Sequence, residues 1–388
     1  MTKIDISDRL KRLPPYLFVE IDREKKRALD KGRDIIDLGV GDPDQPTPGY
    51  IINALNKAVR DPSTHHYALD NGMKELRVEI ARWYKERFGV ELDPDSEILP
   101  LIGSKEGIAH MPLAFINPGE IALVPNPCYP PYRSGVILAG GEIHDMPLEE
   151  ENSFLPRVDS IERSVLERAR LMYLNYPNNP TGVPCDKDFY QRVVEFGLKN
   201  DIIISSDAAY TEMSYDGYSQ PSFLEVENAK KIGVEFHSLS KTYNMTGWRI
   251  GWVCGNRDII AGIAKVKSNI DSGVFNAIQR AGIAALKGPK SEIDKMKRLY
   301  QDRRDVLVKG LNSIGWQVTK PKTTFYLWAK TLGGRDSASM CKTLLNEVDV
   351  VMTPGVGFGS YGEGYVRMAL TVPKERLKEA VDRIKKIV

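Results

Sequence analysis

Lys241 stands beside Ser240 and Thr242, with Ser238 three residues before it and Arg249 eight after, in Ser238-Leu239-Ser240-Lys241-Thr242-Tyr243-Asn244-Met245-Thr246-Gly247-Trp248-Arg249. Ahead of this stretch, Val234-Glu235-Phe236-His237 reads as a short strand. A lysine at the end of a buried strand can shed its proton and attack a carbonyl. Two serines and an arginine are what a phosphate dianion needs. A cofactor that carries both an aldehyde and a phosphate would engage all four groups. The plainer alternative is a solvated surface lysine. An apolar strand before it and a Ser/Gly/Arg-rich loop around it argue against that.

Pyridoxal 5'-phosphate meets this description, and other residues suit it. Asp207 ends the apolar run Ile202-Ile203-Ile204-Ser205-Ser206. A carboxylate there could keep a pyridine nitrogen protonated, so that the ring withdraws electrons from the substrate carbon. It could equally cap the turn at Ala208-Ala209, and taken alone the cap is the simpler role. Tyr210, and Asn179 in Asn178-Asn179-Pro180-Thr181-Gly182, could bond the ring's phenolic oxygen, although N-P-T-G is also an ordinary turn. Tyr129, in a Pro-rich loop, could stack on the ring or lie on the surface. Gly103-Ser104-Lys105 joins a strand to a helix N-terminus, a natural anion site if Ser104 is more than a cap. Arg367 lies inside the apolar run Tyr365-Val366-Arg367-Met368-Ala369-Leu370 and needs a partner, such as a substrate α-carboxylate, unless it points to water from an edge strand. Gly39-Val40-Gly41-Asp42-Pro43 offers a backbone amide, at Gly41, that a carboxylate could approach closely.

The elements that must position these groups alternate. Short apolar runs predict strands at 98–102, 121–124 (ended by Pro125 and Pro127), 143–146, 171–174, 202–205, 234–238 and 250–253. Helical patterns lie between several of them, for example Lys187 to Lys199. That rhythm predicts an α/β fold with a large doubly wound sheet, whose ligands bind beyond the strand C-termini. Five strand ends deliver the polar residues above. After about Gly288 the pattern becomes α+β. A long helix (Ser291 to Asn312) precedes expected strands at 316–319, 325–329, 350–352 and 365–370, and a last helix runs to Lys386. The first 45 residues read as irregular and Pro-rich, packing on this smaller unit. The expected division is a large domain over 46–288 and a discontinuous small α+β domain over 1–45 and 289–388.

Composition fits a soluble enzyme: 42% apolar, 27% charged, and net charge +2 from 54 basic and 52 acidic residues. That balance argues against nucleic acid or an anionic membrane as the main partner. Arg23-Glu24-Lys25-Lys26-Arg27 mixes signs, as a solvated helix face does. The four cysteines (128, 185, 254, 341) are scattered, without C-x-x-C, which suits a reducing cytoplasm. The N-terminus has no apolar signal-like core, no run approaches a membrane span, and no H-E-x-x-H suggests a metal.

In order, G-x-G-x-P-D, G-S-K, N-N-P-T-G, D-A-A-Y, S-L-S-K-T-Y-N-M-x-G-W-R-x-G and the late arginine cover most of the chain. The set resembles the fold type I pyridoxal-phosphate aminotransferases of the aspartate aminotransferase superfamily. More narrowly, the stretches at 101–110, 207–210, 236–248 and Asn269-Ile270-Asp271-Ser272-Gly273 resemble the LL-diaminopimelate aminotransferases. Those enzymes convert tetrahydrodipicolinate and glutamate to LL-diaminopimelate and 2-oxoglutarate in lysine biosynthesis. The resemblance implies Lys241 as Schiff-base lysine and proton shuttle, Asp207 on the pyridine nitrogen, Asn179 and Tyr210 on the phenolic oxygen, and Tyr129 on the ring. It places Ser104, Lys105, Ser238, Ser240 and Arg249 at the phosphate and distal carboxylate, and Arg367 with Gly41 at the α-carboxylate. Tyr16 and Tyr67 match substrate-site tyrosines. Tyr67 and Asn276 would come from a second subunit, so the implied active unit is a homodimer. Two positions depart from the usual pattern: the loop His65-His66-Tyr67-Ala68-Leu69-Asp70-Asn71-Gly72, and Asn276, which is often Gln.

Other readings are weaker. Ser238-Leu239-Ser240-Lys241 also spells the S-x-x-K of penicillin-binding serine hydrolases, but S-D-N and K-T-G are missing. Neither Gly39-Val40-Gly41 nor Gly355-Val356-Gly357 completes a dinucleotide fingerprint. A regulator on this fold would need room for a DNA-binding domain. Within the pyridoxal-phosphate enzymes, fold alone does not separate decarboxylases and lyases, but the late arginine with G-x-G-x-P-D favours transamination. Aspartate, alanine, aromatic amino acids and N-succinyl-LL-diaminopimelate stand as alternative substrates.

Overall fold

Seven of the apolar runs assemble into one sheet, in the spatial order 98–101, 251–255, 233–238, 203–207, 169–175, 121–126, 142–147. The computed structural model describes residues 4–14, 17–69 and 71–388. From Glu142–Pro147 across to Gly233–Ser238 every neighbouring pair is parallel. Gly251–Gly255 runs antiparallel to both of its neighbours, Gly233–Ser238 and Ile98–Leu101. The return from Ser238 to Gly251 holds only short helical turns, too little for a crossover helix, so the chain comes back reversed.

Alternate residues of each strand enter different cores, because successive side chains leave opposite faces. Leu99, Leu101, Val124, Tyr173, Val234 and Phe236 pack with Ile108, Met111, Val136 and Ile263 from the helices on one face. Ile98, Leu123, Met172, Leu174, Ile204 and Trp252 pack with Leu76, Ile80, Val193 and Ala281 on the other. Helices on both faces explain why these strands lack a polar side.

A separate core gathers Ile36, Leu38, Tyr300, Leu307, Trp316, Leu327, Met340, Val366, Met368 and Leu377. Here Tyr365–Ala369 is the middle strand of an antiparallel sheet, between Thr353–Pro354 and Tyr326–Lys330. Ile36–Asp37 pairs in parallel with Val350–Val351, which ties the chain's beginning to its end.

Three expectations need correction. The strand expected to stop at Pro125 continues to Asn126; beyond Leu123 it pairs only with Glu142–Pro147, and a proline is tolerated where one side is unpaired. No strand forms at 316–319. Trp316 instead donates Nε1–H to Lys330 O at 2.8 Å, and the Asn312 side chain takes the Val318 N–H at 2.7 Å, so a side chain stands in for a ladder. The early segment is not wholly irregular, since Leu17–Asp30 is a helix with Arg23, Glu24, Lys26 and Arg27 on its exposed face. Among the described residues, no helix is long and apolar enough to cross a membrane.

Candidate active site

Five of the like-directed strands end at one edge of the sheet, and the segments leaving them line a single cavity of about 220 Å³. Ile98–Leu101 leads to Ser104 and Lys105. Ile121–Asn126 leads to Tyr129, Ala169–Asn175 to Asn179, Ile203–Asp207 to Tyr210, and Gly233–Ser238 to Ser240, Lys241 and Arg249. All of these line the cavity, as do Asp207 and Ser238 at the strand tips. Gly41 and Arg367 close it from the side of the smaller sheet. The structure thus brings together twelve of the fifteen residues singled out by sequence. Tyr67 is 81% exposed and does not line it. Neither does Asn276, which donates from Nδ2 to His66 O at 3.1 Å. Tyr16 lies outside the described residues.

Lys241 reaches into the cavity and donates to Gly41 O at 2.9 Å. Burial pulls its ammonium from the usual 10.5 down to about 8; Asp42 opposes that shift, while Arg367 and Arg249 reinforce it. Its amine makes no bond to the Ser238 hydroxyl, which is occupied in accepting from Ser240 N at 3.1 Å. The Ser–Lys pair of a serine hydrolase is therefore not assembled here.

Asp207 is 4% exposed, and burial raises its carboxyl to about 6. Tyr132 donates to Oδ2 at 2.7 Å and Ala209 N to Oδ1 at 3.2 Å, each favouring the ionised form. So the local turn foreseen for Asp207 exists, yet the side chain also faces the cavity. No ion pair joins Asp207 to Lys241, and two opposite charges stand apart at one site.

The strand tip is braced by Asn175, whose Nδ2 donates to Asp207 O at 2.9 Å and whose Oδ1 accepts from Asn179 N at 2.8 Å. Asn178 builds the N-P-T-G turn by accepting from Thr181 N at 3.0 Å and its hydroxyl at 2.7 Å. That leaves the Asn179 side chain for the cavity, where Oδ1 accepts from Arg367 Nη1 at 2.8 Å. The Tyr210 hydroxyl lies 3.0 Å from that of Tyr326.

Arg367 is 3% exposed, on the middle strand of its sheet, so it is no edge arginine. Nη2 donates to Gly39 O at 2.7 Å. Its guanidinium lies between the rings of Tyr326 and Phe358, 4.2 and 4.7 Å from their centroids, a setting that fixes the fork in place. At Gly41 an added Cβ would fall 1.9 Å from the Tyr326 hydroxyl, so no larger residue fits.

At the opposite end, Ser104 opens the Ser104–Phe115 helix, whose first N–H groups lack intrahelical partners. A Cβ on Gly103 (φ +74°) would stand 2.4 Å from Arg249 Nη2, so the arginine lies directly over this turn. The donor set suits an elongated ligand: hydroxyls, a helix N-terminus, Lys105 and Arg249 for a dianion, a carboxylate for a basic ring nitrogen, and an amine for an aldehyde. Pyridoxal 5'-phosphate has all three features, and the residues fit it.

Sequence reasoning missed Tyr132, Asn175, Tyr326 and Phe358. Tyr132 follows Tyr129 by three residues across the start of a helix, a spacing that could have flagged it. The other three gain their roles only through tertiary contact.

Compared with known proteins, the family described as "Aminotransferase class I and II" matches residues 33–384. An LL-diaminopimelate aminotransferase of Syntrophobacter fumaroxidans is 56% identical over 381 residues, covering 98% of each chain. One from Halothermothrix orenii is 54% identical, over 98% of this chain and 97% of its own. Among solved structures, substrate-bound BacF from Bacillus subtilis superposes with a TM-score of 0.95 at 40% identity, over 100% of this chain and 98% of that one.

Proposed function

We propose that this chain, which belongs to the aminotransferase class I and II family and is a pyridoxal-phosphate-dependent transaminase, moves an amino group between LL-diaminopimelate and 2-oxoglutarate in lysine biosynthesis. The observation that carries the chemistry is the convergence of Lys241, Asp207 and Arg367 on one cavity from separate elements. The substrate rests on the likeness to the LL-diaminopimelate aminotransferases across almost the whole chain.

Bound at this site, the cofactor supplies an aldehyde to take up an amine and a protonated ring that withdraws electrons from the carbon bearing it. The chain's residues do the rest. Asp207, ionised, would hold the proton on the ring nitrogen, with Tyr132 keeping the carboxylate in that state. Asn179 and Tyr210 would bond the phenolic oxygen, and Tyr129 would cover the ring. Ser104, Ser238, Ser240, Lys105 and Arg249 would take the phosphate and a distal carboxylate. Arg367 and the Gly41 backbone would hold the α-carboxylate, which sets the α-carbon facing Lys241. With its ammonium weakened, Lys241 can accept a proton from that carbon and return it elsewhere, close to the pH at which a general base works well.

The reading extends to a homodimer. Tyr67 and Leu69 are 81% and 75% exposed, and Tyr67 would complete the site of a second copy together with Asn276. It also takes residues 46–288 as the cofactor-binding domain and 1–45 with 289–388 as the smaller one. Free, scattered cysteines suit a cytoplasmic location.

The test is a panel of amino donors against 2-oxoglutarate. LL-diaminopimelate should give the highest kcat/KM. A far higher value for aspartate, alanine, an aromatic amino acid or N-succinyl-LL-diaminopimelate would overturn the substrate assignment. Borohydride reduction followed by peptide mass spectrometry should place the cofactor on Lys241 and on no other lysine.

A further inference from the structure

Asn269-Ile270-Asp271-Ser272-Gly273 stood out in the sequence but takes no part in the cavity. It belongs to a buried ion cluster that ends two residues from Ser104. Lys267, at the end of the Arg257–Lys267 helix, is fully buried. Its ammonium donates to Glu106 Oε1 at 2.9 Å and to Asp271 Oδ1 at 2.7 Å. The other Glu106 oxygen accepts from Ile102 N at 2.5 Å. Asp271 Oδ1 also accepts from Gly273 N at 2.7 Å. His110 Nδ1 stands 3.6 Å from Glu106 Oε1, but burial lowers that imidazole's pKa, so it adds no second cation at neutral pH.

One ammonium therefore serves two carboxylates, and each carboxylate also accepts from one backbone N–H, while Asp271 Oδ2 stays buried without a hydrogen-bond partner. Apolar side chains of similar volume would fill such a space at no greater cost, so stability alone does not account for the cluster. Geometry does. Glu106 clamps the Ile102-Gly103-Ser104 turn, which brings Ser104 and the start of its helix to the cavity wall. The far side of that turn has no slack, because a Cβ on Gly251 would come 2.9 Å from Ser104 N. Asp271 clamps the Gly273 turn, where a Cβ would stand 3.0 Å from Leu69 O and 3.1 Å from Ala68 Cβ. The cluster thus spans from the anion end of the site to the loop that carries Tyr67.

We propose that Lys267, Glu106 and Asp271 are positioning residues for the anion end of the site, holding the 102–104 turn so that it selects a phosphorylated ligand over its dephosphorylated form. This rests on the reading that the site binds pyridoxal 5'-phosphate. The test titrates the full chain, freed of cofactor, with pyridoxal 5'-phosphate, pyridoxal and inorganic phosphate, following intrinsic fluorescence and competition. In Lys267→Met the Kd for pyridoxal 5'-phosphate should rise about tenfold or more, in line with a lost charge-assisted contact. The Kd for inorganic phosphate should rise in parallel, and that for pyridoxal should stay within about twofold. Glu106→Gln, which keeps the shape and the bond to Ile102 N, should shift the same ratio less. If Lys267→Met fails to fold by circular dichroism, Glu106→Gln decides alone. An equal loss for phosphorylated and unphosphorylated ligands, or no loss, overturns the positioning role. A wild-type chain that does not prefer pyridoxal 5'-phosphate to pyridoxal overturns the cofactor reading instead.

Discussion

Freed of its cofactor, the full chain should carry an anomalously reactive lysine at position 241. Burial brings its ammonium from 10.5 to about 8. At pH 7 the neutral fraction is then about 9%, against about 0.03% for an ordinary lysine, a ratio of about 300. Competitive labelling with limiting acetic anhydride between pH 6 and pH 10 would measure this, with the Lys241 peptide quantified against peptides of exposed lysines. Access to a cavity slows the absolute rate, so the readout is the midpoint of the pH profile. It should fall near 8. Asp42 raises the Lys241 pKa, so Asp42→Asn should move the midpoint lower. Arg367 lowers it, so Arg367→Gln should move it higher. A midpoint near 10, or the opposite response to Asp42→Asn, would refute a desolvated Lys241.

The same shift has a consequence for stability, with a definite sign. The unfolded chain takes up this proton near 10.5 and the folded chain near 8. Between those values the unfolded state binds more protons, so folding stability rises with pH across the window. Below pH 8 the full penalty applies, about 3 kcal/mol at most and less because Lys241 is partly open to the cavity. Lys241→Met should therefore raise the Tm of the cofactor-free chain at pH 7, and the gain should vanish by about pH 10.5. A Tm that falls at both pH values would contradict the account.

Asp207 should behave as the mirror image. Its folded pKa of about 6 lies above the ordinary 3.8, so the cofactor-free chain loses stability as pH rises between them. Asp207→Asn should remove that slope in Tm while reducing transamination by about a thousandfold, and Tyr132→Phe should steepen it. Arg367→Lys should lower kcat/KM by about 30- to 1000-fold, since a single ammonium cannot replace a fork held between two rings; steady-state kinetics with an unchanged Kd for cofactor would localise the loss to substrate. Gly103→Ala, at φ +74° and against Arg249, should weaken cofactor binding about tenfold, as read by fluorescence titration. In mixtures of inactive Lys241→Ala and Tyr67→Ala chains, activity should recover to about a quarter of wild type if subunits share sites, because statistical exchange makes half the dimers hybrid and restores one site in each; no recovery after confirmed exchange would end the shared-site reading.

The large sheet was legible because its strands are contiguous apolar runs, and polar residues just beyond them fall at one edge by topology alone. Lys241, Asp207, Asn179 and Ser104 could be found that way. Tyr326 could not, since it sits in a run that reads only as core, and its hydroxyl matters because Gly41 and Tyr210 come to it from elsewhere in the chain. Phe358 follows a glycine-rich segment that carries no periodic signal. Trp316 to Thr319 has strand-like residues, but Asn312 and Lys330 offered their backbone and indole groups better partners than a neighbouring strand did. Gly251–Gly255 reads as one more apolar strand; its reversed direction is fixed by the length of its connection, not by its own residues. The Lys267 cluster was visible only as a motif, because three charges separated by up to 165 positions meet solely in the fold.

Lys241 and Asp207 are held apart by bonds to other partners, the amine to Gly41 O and the carboxylate to Tyr132. A direct ion pair would have relieved both, raising the pKa of one and lowering that of the other. Keeping them separate leaves each charge poorly compensated by the chain's own groups, with both pKa values displaced toward neutrality. Such an arrangement costs stability and is worthwhile only if a third body completes it. A basic ring nitrogen answers the carboxylate and an aldehyde consumes the amine, so one ligand removes both penalties at once. The same two displaced groups that weaken the free chain therefore give the cofactor part of its hold, and they select for a molecule that spans both.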